Sequence, residues 1–174
     1  AGTMIALSSK EIIMGKQSNL GPIDPQFGGM SCAGIIEEFN EACSDVKANP
    51  EMARVWGPII SKYHPTFIGD CKKAMTWADT IVNKWLTENM FSAYTDAEAR
   101  ARKVVDALSS HNATYSHSRH IHIDELNNLG LKIVPLERLD DRQIDDCKDL
   151  QDCVLTIHHS FMQTLSSTNA LKIV

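Results

Sequence analysis

The stretch Ala1–Gly29 reads AGTMIALSSKEIIMGKQSNLGPIDPQFGG. Its first seven residues are small or apolar, so the chain opens in the middle of a packed element. Glu11 to Gly15 has the look of a short apolar strand, Ile12-Ile13-Met14, closing on a glycine turn. Asn19–Gly29 then holds two prolines and three glycines. Gly21 and Asp24 each precede a proline, which pushes both toward extended geometry and gives this loop a constrained path.

Beyond residue 32 the apolar period changes from strand to helix. Ile35, Ile36, Phe39, Cys43 and Val46 share one helical face. Pro50 ends or follows that helix. Met52, Val55, Ile59 and Ile60 suggest a second helix, with Pro58 limiting it. Cys71, Met75, Ala78, Ile81, Val82, Trp85 and Leu86 stripe a longer third one. Thr95–Glu98 forms a capping box, with Ala101, Val104, Val105 and Leu108 behind it on a fourth. The order breaks at residue 111. A loop is expected there, then a short helix over Asp124–Leu129, a C-cap at Gly130 and a strand over Leu131–Val134. Residues 140–166 carry a last helical stripe through Ile144, Cys147, Val154, Ile157, Phe161 and Leu165. On that helix one of His158 and His159 is expected to face solvent and the other to pack. The closing ALKIV resembles a strand or connector.

The 174 residues suit one domain, 1–174, with a real core. A formal net charge of −5 argues against nucleic acid or an anionic membrane as the main partner. No apolar run approaches the ~20 residues that span a bilayer, and the opening lacks the basic flank and apolar core of a signal peptide. Five cysteines, an odd number with no CxxC pair, point to free thiols and a reducing compartment, here the cytoplasm.

Two groups could carry chemistry. His117, His120 and His122 put three of the seven histidines within six residues. Imidazole is the usual general base near neutral pH and a common metal ligand. A polar surface loop accounts for them equally well. A metal reading needs a third or fourth ligand and an outer shell, and no HExxH or Cys/His framework supplies them, so no cofactor is indicated. Asp24, in the stiff Pro-flanked loop, is either a turn residue capping its own backbone or a carboxylate that orients a histidine Nδ1–H. Neither Ser8, Ser9, Ser18 nor Ser31 is marked as an activated nucleophile.

Taken together, Ala1–Gly29, the middle stretch NPEMARVWGPIISKYHPTFIGDCKKA and the later SHSRHIHIDELNNLGLKI resemble the serine dehydrogenase proteinases. These are relatives of signal peptide peptidase A and the Clp protease within the crotonase-like fold. In that family a nucleophilic serine directly precedes Ala-Gly-Thr-Met-Ile-Ala, here Ala1–Ala6, and the family's GPIDPQ is Gly21–Gln26. The resemblance implies a truncated, helix-rich α/β fold of the crotonase/Clp type with few short strands. It implies that the nucleophile lies just before Ala1, unless the chain starts at Met4 and Ala1–Thr3 are foreign to it. It also implies Asp24 as the acid, His117 as the base with His120 as the other candidate, and the Ala1 backbone N–H as an oxyanion donor. A protein or peptide substrate and a homo-oligomer follow by analogy. The chain alone is then expected to be inactive, as one portion of a serine peptidase. The alternative is a non-catalytic oligomerising or regulatory subunit of the same fold.

Overall fold

The computed structural model describes residues 2–109, 119–138 and 150–169. Helix α1 (Gly2–Leu7) leads into strand β1 (Ile12–Met14). A hairpin follows, β2 (Gln26–Phe27) with β3 (Met30–Ser31), then α2 (Cys32–Ala48). A 3₁₀ turn at Pro50–Met52 opens onto α3 (Ala53–Ile60). The long α4 (Phe67–Glu88), α5 (Ala97–Ser109) and the short α6 (Ile123–Asn128) come next. Strand β4 (Ile133–Pro135), a 3₁₀ turn at Leu136–Arg138 and α7 (Leu150–Ser167) complete the order. This is a helix-rich α/β chain with few short strands, as the resemblance implies.

The two described sheets have two strands each. β1 and β4 pair in parallel, Ile12 opposite Ile133 and Met14 opposite Pro135. β2 and β3 pair antiparallel, Gln26 opposite Ser31. The hairpin is made from residues whose Pro and Gly content reads as loop. Gly28 and Gly29 both have positive φ, 58° and 83°. Two successive positive φ values are what a two-residue primed turn demands, and glycine adopts them without a Cβ penalty.

The core is built by the predicted stripes. Ala78, Val82 and Leu86 of α4 meet Ala101, Val104, Val105 and Leu108 of α5, with Leu7 of α1 and Met90 and Phe91 beyond α4. The end of α6 is a Schellman cap. The Leu131 N–H reaches the Leu126 carbonyl at 3.2 Å and the Gly130 N–H reaches Asn127 at 2.9 Å, with Gly130 at φ 89°. Leu126 and Leu131 are both buried across that cap, which turns the chain into β4.

Some expectations are corrected. α5 begins at Ala97, two residues after Thr95. At its start Asp96 takes a 2.7 Å hydrogen bond from Arg100. Pro58 lies inside α3, which runs on to Ile60. Trp56 ties this helix to α2 by donating its indole N–H to Asp45 at 3.1 Å. His158 and His159 are both exposed, as are Val154, Ile157, Phe161 and Leu165 on α7. The helical period is there, but none of these side chains is covered. His117, Ala1, Ile144, Cys147 and the closing ALKIV lie outside the described residues.

A second, smaller cluster joins α2 to α4 through Cys32, Ile35 and Cys71. Cys32 and Cys71 are fully buried while Cys43 and Cys153 are exposed, and all four are free thiols. Burial pushes the Cys32 thiol up to about 12, helped by its hydrogen bond with Cys71 and by the negative potential of Cys71 and Asp24. Its folded value is thus raised above the ordinary 9.0. Below the unfolded value that preference for the proton is fully present, and it fades as pH rises toward the folded one. At neutral pH, maleimide is expected to label Cys43 and Cys153 in the native protein, and Cys32 and Cys71 only after denaturation. Peptide mass mapping reads this directly. Fast native labelling of Cys71 would mean that the α2–α4 contact is not formed.

Candidate active site

The Asp24 loop is fixed from three sides by its backbone. The Ile23 N–H donates to the carbonyl of Leu108 at the end of α5, at 2.8 Å. Leu20 and Ile121 exchange backbone hydrogen bonds of 3.0 and 2.9 Å in an antiparallel bridge. The Cys32 N–H donates to Pro25 at 2.9 Å and closes the hairpin. Each proline enforces the extended path that leaves these groups free to pair outward rather than within a local turn.

A fourth tie comes from a side chain. Thr3 is 8% exposed. Its hydroxyl donates to the Gly21 carbonyl at 2.9 Å and accepts from the Gly21 N–H at 3.1 Å. One buried hydroxyl therefore satisfies both backbone groups of one residue. It locks the first turn of α1 to the loop that carries Asp24. Thr3→Val keeps the shape but strands both groups of Gly21, so it should cost about 1–3 kcal/mol. Urea denaturation measures this, and Thr3→Ser should retain most of the stability. A Thr3→Val protein as stable as the parent would show that α1 is held by apolar packing alone.

Asp24 is half-buried. Its Oδ1 accepts from the Ser31 hydroxyl at 2.8 Å. It borders two depressions. One is an open cleft of ≈ 400 Å³ shared with Thr3, Met4, Gln26, Phe27 and Trp77. The other is a narrow crevice toward Asp79 and Ser109. Across that crevice the Ser109 hydroxyl donates to Asp79 at 2.6 Å and ties the end of α5 to α4. The cleft is the size of a small-ligand site, with mostly apolar walls and a few polar groups. Trp77, 61% exposed, and Phe27 stand at its rim.

The two described histidines of the cluster lie elsewhere. His120 and His122 are exposed, with ring centroids 6.4 Å apart. Neither borders a depression lined by Asp24. His122 lines a separate cleft with Lys16, Asp124, Asn127, Pro135 and Glu137. There the Lys16 N–H donates to Glu137 at 2.8 Å, which holds that carboxyl below its usual range. Arg119, at the start of this segment, donates to Glu125 of α6 at 2.7 Å. His117 falls outside the described residues. Among the described residues no group of three His, Cys, Asp or Glu side chains converges on one point as a metal site would.

Thr3 and Ser31 are the site-supporting residues that the sequence reading passed over. Thr3 is a lone hydroxyl in an apolar run, and Ser31 is the last polar residue before a helical stripe. Both signals were visible, the second as an N-cap pattern.

A family model for ClpP-like SDH-type serine proteinases matches residues 1–138. One curated relative, the uncharacterized protein MJ1495 of Methanocaldococcus jannaschii, is 25% identical over 132 residues. That alignment takes in 76% of this chain and 38% of the relative, so the chain spans well under half the relative's length. No solved structure matches the chain.

Proposed function

This chain belongs to the ClpP-like SDH-type serine proteinase family, and on that premise we propose that it is the portion of a peptidase that follows the nucleophile and supplies the acid and the base. The nucleophilic serine stands immediately before Ala1. Asp24 is the acid and His117 the base. The substrate is a protein or peptide. On its own the 174-residue chain turns nothing over, because it carries the partners of a nucleophile that it lacks.

The observation that carries this reading is the cleft in which Asp24 faces the first turn of α1, at Thr3 and Met4. The residue preceding that turn is where the family's serine belongs, and Thr3 pins the two segments together. His117 is the best match to the base of the family's motif, with His120 the other candidate. In the reaction, His117 would take the serine proton as the hydroxyl attacks the peptide carbonyl. It would then return the proton to the leaving amine. Asp24 would hold the imidazole in the right tautomer and stabilise the imidazolium. The Ala1 backbone N–H would donate to the oxyanion.

The protein is further inferred to work as a homo-oligomer in the cytoplasm. Free buried thiols support the compartment. The uncovered Val154, Ile157, Phe161 and Leu165 of α7 support association, since contiguous apolar surface usually marks a contact. The same face is what a non-catalytic oligomerising subunit would need, and it keeps that second reading in play. No described helix is long and apolar enough to cross a membrane.

A comparison of two proteins tests the reading. The full natural protein should hydrolyse unstructured polypeptide and lose that activity to a serine-directed phosphonate. The chain beginning at Ala1 should do neither. Phosphonate-sensitive hydrolysis by the chain alone, or none by the full protein, would overturn it.

A further inference from the structure

We propose that Ser31 is a positioning residue, whose hydroxyl, held by the first turn of α2, fixes the carboxylate of Asp24 in the orientation that the triad uses. This rests on the assignment of Asp24 as the acid. Ser31 is the N-cap of α2, with extended backbone at φ −63°, ψ 129°. Its Oγ accepts from the Gly34 N–H at 3.2 Å and thereby satisfies one of the helix's open donors. A cap needs only that lone pair. The hydroxyl proton is left over, and on a half-buried serine it could equally go to water. Here it is directed to Asp24 Oδ1 at 2.8 Å.

Backbone pairing flanks this bond. Pro25 and Cys32 are joined by a backbone hydrogen bond, and Gln26 pairs with Ser31 across the hairpin. Asp24 and Ser31 are therefore the residues just outside and just inside a rigid loop. The donor cannot drift without breaking the hairpin or the cap. This answers a specific need. The terminal torsion of an aspartate is broad and roughly two-fold. A carboxylate that must hold an imidazole gains from one fixed donor that selects a single rotation and strengthens as a charge-assisted bond. The arrangement makes the orientation of Asp24 depend on the seating of α2, seventeen residues of helix anchored to α4 through Cys32 and Cys71.

The test separates capping from positioning. Glycine at an N-cap costs only a few tenths of a kcal/mol, so Ser31→Gly removes the donor and keeps the helix. Ser31→Thr keeps both functions. In the full natural protein, with active sites counted by phosphonate titration, Ser31→Gly should lower kcat about 10-fold at unchanged KM, because misplaced groups lose rate rather than binding. Ser31→Thr should restore kcat to within about threefold, and both variants should melt with the parent. Unchanged kcat in Ser31→Gly would overturn the proposal and leave Ser31 a cap. Asp24→Asn in the same assay distinguishes the two failures. If it abolishes turnover while Ser31→Gly does not, the acid assignment stands and the positioning role falls. If neither variant loses turnover, or the protein cleaves no peptide, both fall.

Discussion

Asp24→Asn is expected to lower the peptidase turnover of the full natural protein by about 10⁴-fold, the scale of losing the acid from a Ser-His-Asp system. Asn still offers an oxygen to the Ser31 hydroxyl, so the hairpin and the α2 cap survive. What disappears is the negative charge that steadies the imidazolium and the acceptor that selects the reactive tautomer. Stability should therefore hold while rate collapses. The measurement is kcat/KM on a peptide substrate beside a thermal melt of the same sample. A loss below about tenfold would return Asp24 to the simpler role of a turn residue that braces the hairpin.

The largest effect on stability is expected at Phe91. Its ring is 1% exposed in the main cluster, and its edge meets Tyr94 at 6.1 Å in a T-shaped pair. Phe91→Ala removes transfer energy and leaves a cavity where α4 ends and the chain turns back toward α5, at a cost of about 3–5 kcal/mol. For a chain of this size that corresponds to a melting point lower by about 6–20 °C. Trp77→Ala is the contrast. Trp77 is the larger residue, but it is 61% exposed, and its loss should stay within about 0.5 kcal/mol. Calorimetry of the two variants orders them. Equal losses would mean that Trp77 is buried in the working protein, against a substrate or another subunit.

Much of this architecture was legible because apolar period reports burial. Ala101, Val104, Val105 and Leu108 are the buried face of α5, and Cys71, Ala78, Val82 and Leu86 that of α4, as their spacing indicates. The cap at Gly130 was legible too, since only a residue free of a Cβ sits easily at φ 89°. The hairpin was not. Its strands are two residues each, below the length at which alternation means anything, and its Gly-Gly turn reads as loop. The period of α7 was correct but silent about what covers it. A stripe states that a face wants burial and does not say where the partner is.

The candidate site was legible in a different way. Asp24 stood out through its two flanking prolines, a local signal. That it faces the first turn of α1, tied by Thr3 to Gly21, is a contact eighteen residues apart in sequence. No spacing rule reaches that far. Ser31 has the same character, since its cap is local but its proton goes seven residues back. Sequence displays the groups that bond to neighbours. The groups that orient a site bond across loops.

The central claim is that a serine directly before Ala1 is the nucleophile that Asp24 and His117 serve. The direct measurement is a peptide map of the protein isolated from its own cell after reaction with a serine-directed phosphonate. The account predicts one modified peptide, with the label on a serine whose next residues are Ala1, Gly2 and Thr3. A native protein with another residue at that place, or a label on a different serine, would contradict it.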